Sequence, residues 1–296
     1  MNDGPRIPWS RLKFTPREHP GRVLDFAIRT ARRLREWDVE CPPGNRLDRI
    51  TETLRWYADP ETALAPGDTE RRALILEASR AAIEMYIGTH GPSRVSDALR
   101  SKAREMLSGS DLPTMETDHW GRNVQFEVYF HGLLSAAGLD VWFDERPDLR
   151  WRHDGYVSGI AVKRVWSLEQ AHKRLSEAAL QIEATELPGL IATNVQEHLS
   201  GVPETHDVRD RGAGFERDTS RLTGQMPWLM SKPHLWGVAL CGITGSWRVP
   251  SGNKSALQLA SFHALRDLNG ETKHGFGKAY HTAMEDELKR WYIANT

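Results

Sequence analysis

Residues 145–165, ERPDLRWRHDGYVSGIAVKRV, decide the fold. Two extended arms flank His153-Asp154-Gly155, and an Asp-Gly pair between such arms signals a two-residue hairpin turn, because both turn positions must accept positive φ. Side chains alternate along an extended arm, so Ile160 and Val162 point to one face while Ala161 and Lys163 point to the other. A lysine on a face bound for burial needs a counter-charge, and Asp148 in the opposite arm can supply it. The plainer alternative is a strand-end lysine that reaches solvent along its own stem.

Working outward, NVQFEVYFHGLLSAAG (123–138) reads as a helix and LDVWFDE (139–145) as a short strand before the hairpin. After the hairpin, LEQAHKRLSEAALQIEA (168–184) is helical and GLIATNV (189–195) is a buried strand. The order helix, three strands, helix, strand predicts an α/β fold on a central sheet. Farther on, HLWGVALCGITGSWRV (234–249) predicts a strand or hairpin, and SALQLASFHAL (255–265) is ambiguous between strand and helix. AYHTAMEDELKRWYI (279–293) predicts a final amphipathic helix.

Upstream of the sheet the period changes to 3.6. VLDFAIRTARRLREW (23–37) puts Val23, Phe26, Ala27, Thr30 and Leu34 on one face, and three further helical runs follow, separated by turns at Asp59-Pro60 and Gly91-Pro92. Two segments are expected: an arm and helical bundle over 1–111, and the α/β core with its C-terminal strand and helix extensions over 112–296. Arg22, Arg29, Arg32, Arg33 and Arg35 on the first helix either grip phosphates or form its solvated face. Trp56, Trp142, Trp236 and Trp291 lie in apolar runs, where burial is expected.

The net charge of −1 removes bulk polycation behaviour, so any contact with nucleic acid must come from a local patch. Cys41 and Cys241 are the only two cysteines and are far apart, which excludes a zinc knuckle or a disulfide framework. The opening MNDGPRIPWSRLKF has no apolar leader core, and no apolar run is long enough for a membrane span. A soluble, cytoplasmic protein with no membrane partner is expected. No G-x-G-x-x-G, G-x-x-x-x-G-K-[ST] or G-x-S-x-G is present, so the common nucleotide-binding and acyl-transfer motifs are missing.

On the helix preceding the sheet, Glu127 falls inside the stripe Val124, Val128, His131 and Leu134. A carboxylate there costs free energy unless paired or close to a cation. Together with Pro147-Asp148, the tripeptide Ala161-Val162-Lys163, Arg164 after the lysine, and a following helix that leads into GLIATNV, it resembles the PD-(D/E)xK nuclease superfamily, the restriction-endonuclease-like fold. The resemblance spans about residues 122–196. It implies a metal-dependent endonuclease that hydrolyses phosphodiester bonds in DNA, in bacterial defence, restriction or repair. It further implies Mg²⁺ or Mn²⁺ held by Asp148, the Val162 carbonyl and Glu127, with Lys163 orienting the attacking water and Gln181 as the helix glutamine near the site. Arg150, Arg152 and Arg164 flank this constellation as candidate backbone-phosphate contacts. Homo-oligomers or a partner protein would engage through the helical bundle.

The pattern asks for Asp or Glu where this chain has Ala161. Alanine offers neither charge nor oxygen, so the chain is expected to be inactive or severely impaired. Either a glutamate was replaced or the site is naturally degenerate. The alternatives to a nuclease are a catalysis-deficient nucleic-acid-binding module and an interaction protein built on the bundle.

Overall fold

A computed structural model describes residues 20–59, 61–62, 64, 68–109, 120–165, 168–195, 227–248, 256–268, 275–280 and 282–284. The expected helix residues 285–293, including Trp291, lie outside that set. Six α-helices, α1 (Pro20–Glu36), α2 (Arg46–Ala58), α3 (Thr69–His90), α4 (Asp97–Glu105), α5 (Trp120–Ala136) and α6 (Leu168–Glu183), accompany six strands among these residues, together with a short 3-10 turn (Pro227–Ser231) and helical residues 276–280 and 282–284. The strands are β1 (Asp140–Phe143), β2 (Leu149–His153), β3 (Tyr156–Val165), β4 (Gly189–Val195), β5 (Leu235–Arg248) and β6 (Ala256–Asp267).

The fold is α/β. All six strands form one mixed sheet in chain order, β1 to β6. β1, β2 and β3 are an antiparallel meander. β4 joins β3 in parallel after the crossover helix α6, β5 continues in parallel, and β6 returns antiparallel. The turn between β2 and β3 has Asp154 at φ 47 and Gly155 at φ 81, the positive pair that the Asp-Gly signal requires. Within HLWGVALCGITGSWRV, Leu235–Arg248 is one long strand, and the ambiguous SALQLASFHAL is, from Ala256 onward, its antiparallel partner.

The two sheet faces are covered differently. On one face, Phe126, Phe130 and Leu133 of α5 and Ile75, Ile83 and Ile87 of α3 share a buried cluster with Leu149, Trp151, Ile160 and Val162. On the other face, Ala171, Leu175, Ala178, Ala179 and Ile182 of α6 pack with Ala161, Val165 and Ile191. The first cluster crosses the expected segment boundary at 111, because α3 lies directly on α5 and reaches the sheet. The α3–α5 crossing is close enough for backbones to touch. A Cβ at Gly132 would meet the Ile87 carbonyl and the Gly88 Cα, and one at Gly88 would lie 2.7 Å from Val128 Cγ1.

Two expectations about aromatic residues part company. Trp236 is buried at the sheet, whereas Trp56 is 40% exposed and lies beneath the Arg71 guanidinium, 5.1 Å from the ring centroid. An apolar run on an amphipathic helix includes positions that turn outward, and a cation over the ring makes such a position tolerable for tryptophan.

Candidate functional site

The chain order brings the distant residues of the hairpin together. In the β2–β3 register Leu149 faces Ile160, and the strand begins at Leu149, so Asp148 leaves the ladder just where β3 continues. Its carboxylate takes over the edge. Asp148 Oδ2 accepts a hydrogen bond from the Val162 backbone N–H at 2.7 Å and from Lys163 Nζ at 3.0 Å. The pairing of Asp148 with Lys163 across the two arms is present, and both side chains are about 15% exposed. Pro147 packs across Gly159, where any Cβ would come within 2.7 Å of the proline Cγ. A side chain larger than hydrogen there would push the Asp148 loop away from β3.

Glu127 sits on α5, and its Oε2 accepts from Lys102 Nζ of α4 at 2.7 Å. Burial pushes the Glu127 carboxyl above its ordinary value, the neighbouring charge on Asp148 pushes it further, and Lys102 and Lys163 pull it back only in part. For Lys102, burial works against the charge, but Glu127 more than offsets this, so the ammonium is held above the usual lysine value. Asp148 and Lys163 each act electrostatically on Glu127. The centre is therefore one cluster of two carboxylates and two ammonium groups, with Glu105 adding a further negative charge that acts on Lys102. Lys102 is the member that the sequence reading missed.

Ala161 is fully buried in the apolar cluster beneath α6, with Ala178, Ala179 and Ile182. It shares strand parity with Lys163, as alternation predicts. Gln181 lies near the end of α6, with Oε1 buried and unpartnered; no hydrogen bond described joins it to Asp148 or Lys163.

The three flanking arginines have different surroundings. Arg150 is paired with Asp144 beside the loop. Arg152 is exposed, lies 5.4 Å from the Trp142 ring centroid, and has a loose 3.4 Å contact with an equally exposed Asp140. Arg164 points to the α5 face and is buried. Its guanidinium donates to both Glu84 oxygens, at 2.8 and 2.7 Å, and to the Arg122 carbonyl at 2.8 Å. Glu84 also accepts from Asn194 at 3.3 Å and from Gln125. Arg164 is thus committed to an ionic network joining α3, α5, β3 and β4, and is not placed to meet a phosphate. Strand parity alone could have flagged this, because Arg164 shares the face of Ile160 and Val162.

A divalent cation of the hard class wants several oxygen ligands with spare negative charge. Here one oxygen of each carboxylate already holds an ammonium group, the two charges of each sign balance, and position 161 supplies no oxygen. Among the described residues, no group of three or more His, Cys, Asp or Glu side chains is arranged to hold a metal ion. The residues present do not fit Mg²⁺ or Mn²⁺.

No protein-family model, curated protein or solved structure matches the chain. Among the described residues, no helix is long and apolar enough to cross a membrane.

Proposed function

We propose that this chain is a PD-(D/E)xK-type nuclease core whose hydrolytic centre is disarmed, and that it engages DNA without cutting it. The observation that carries the reading is Asp148 bonded to both Lys163 and the Val162 N–H, with Glu127 beside them on the helix that precedes the sheet. The element order α5, β1, β2, β3, α6, β4 accords with that fold. Lys163 keeps the place of the lysine that would orient a water, yet its ammonium is held by Asp148. With Ala161 there is neither a third ligand nor excess negative charge to draw a metal. The burial of Ala161 among small residues of α6 favours a position matched to alanine over a recently emptied ligand site.

DNA contact is assigned to the exposed face of β1 and β2. Arg152 there exchanges a weak surface partner for a phosphate at little cost, because exposed ion pairs contribute only about 0–1 kcal/mol. Fluorescence anisotropy of a labelled duplex against salt, with the DNA recovered and sized from the same samples, tests the proposal. Affinity should fall linearly in log K against log salt, and Arg152→Ala should reduce the slope by roughly one unit. The duplex should come back intact in Mg²⁺. A flat slope, or cut DNA, would overturn the reading.

A further inference from the structure

We propose that Lys102 is the resident cation of this centre, and that its ammonium group keeps a divalent metal ion out. The inference rests on reading Glu127 and Asp148 as the remnant of a metal site. Lys102 belongs to α4, outside the helix–hairpin–helix–strand unit that builds the rest of the cluster. Its Nζ reaches Glu127 at 2.7 Å and stands 6.0 Å from the Trp120 ring centroid. Trp120 and Glu127 are seven residues apart on α5 and so lie on one face of that helix, two turns from each other. The ammonium is thereby held between an aromatic ring and a carboxylate, the two kinds of surface that favour a cation.

The charge count follows from this geometry. With both lysines in place the two carboxylates are neutralised, and a metal would have to bind against two fixed positive charges. With Lys102 gone, Glu127 and Asp148 face Lys163 alone, and the centre carries excess negative charge. Lys163 does not substitute for Lys102, because its own hydrogen bond goes to Asp148. Lys102 therefore sets the cation preference of the site: ammonium over metal.

Binding of Mn²⁺ to the full chain, read from the loss of the free-ion electron paramagnetic resonance signal, tests this without DNA or cleavage. At about pH 8, Lys102→Met and Lys102→Gln should bind one equivalent of Mn²⁺ on the order of a thousandfold or more tighter than the unsubstituted chain, given the repulsion between like unit charges about 4 Å apart near a protein surface. Lys102→Arg should bind as weakly as the unsubstituted chain, and Lys102→Met with Glu127→Gln should lose the gain. Circular dichroism confirms that each variant is folded, and the glutamine variant stands in if the methionine variant is not. Equal binding by the unsubstituted chain and the neutral variants, or a gain that survives Glu127→Gln, would overturn the proposal. Because the readout needs no DNA, failure here is distinguishable from failure of the DNA-binding reading.

Discussion

Replacing Arg164 by methionine removes the cation at the middle of the buried network while nearly preserving side-chain length. Glu84, about 3% exposed, would keep Gln125 and Asn194 as donors but lose both charge-assisted bonds from Arg164. Removing one partner of a buried pair leaves the other charge uncompensated, at a cost of about 3–5 kcal/mol. That is a large share of the ~5–15 kcal/mol that stabilises an ordinary domain. Guanidinium unfolding followed by tryptophan fluorescence should show this loss for Arg164→Met and a comparable one for Glu84→Gln. The double variant should lose at least ~1 kcal/mol less than the sum, because each single change strands the same pair. Loss of DNA affinity in Arg164→Met at stability within about 1 kcal/mol of the parent would refute the assignment and return Arg164 to the nucleic-acid surface.

Gly132→Ala forces a methyl into the backbone contact between α3 and α5, where the obstructing atoms are the Ile87 carbonyl and the Gly88 Cα and cannot rotate aside. A destabilisation of roughly 1–3 kcal/mol or more in the same unfolding assay is expected. Acid should destabilise the protein in two stages. Burial lowers His131 from 6.5 to about 4, so the stability contributed by its neutral form is full above pH 6.5 and is lost as pH falls through about 4. For Glu77, burial opposes the charge but Arg80 and Arg122 overcome it and lower the carboxyl from 4.5 to about 2, so its contribution is full above pH 4.5 and is lost toward 2. Unfolding free energy measured against pH should show both declines, and His131→Phe should abolish only the upper one.

The legible parts of the fold were those carried by local physics. Asp154-Gly155 announced its own turn, and the arms around it brought Asp148 to Lys163 by register alone. GLIATNV read as a buried strand because the short apolar run Leu190-Ile191-Ala192 follows the Pro188-Gly189 turn signal. What escaped depended on which helix covers which face. Lys102 lies twenty-five positions from Glu127 in the chain, and nothing local links the two. Arg164 looked like a partner for phosphate because its sequence neighbour is Lys163, yet neighbouring strand residues face opposite sides, and only the packing of α3 supplies Glu84 as its partner. SALQLASFHAL stayed ambiguous because its apolar residues suit either period, and pairing with β5 makes it a strand. The resemblance marks Ala161 as the place of an acidic residue, while its burial under α6 became evident only with the helix in place.

The most direct test of the disarmed centre is to restore an acidic residue at position 161. Ala161→Glu, and the shorter Ala161→Asp in case the glutamate disturbs packing under α6, should be assayed on plasmid DNA with Mg²⁺ and Mn²⁺, after circular dichroism has shown each to be folded. Combined with Lys102→Met, which lifts the ammonium from Glu127, at least one folded acidic variant should cut in a metal-dependent manner, adding Lys163→Ala should abolish that cutting, and the unsubstituted chain should leave the plasmid intact. Folded acidic variants carrying Lys102→Met that do not cut with either metal, or metal-dependent cutting by the unsubstituted chain, would contradict the account.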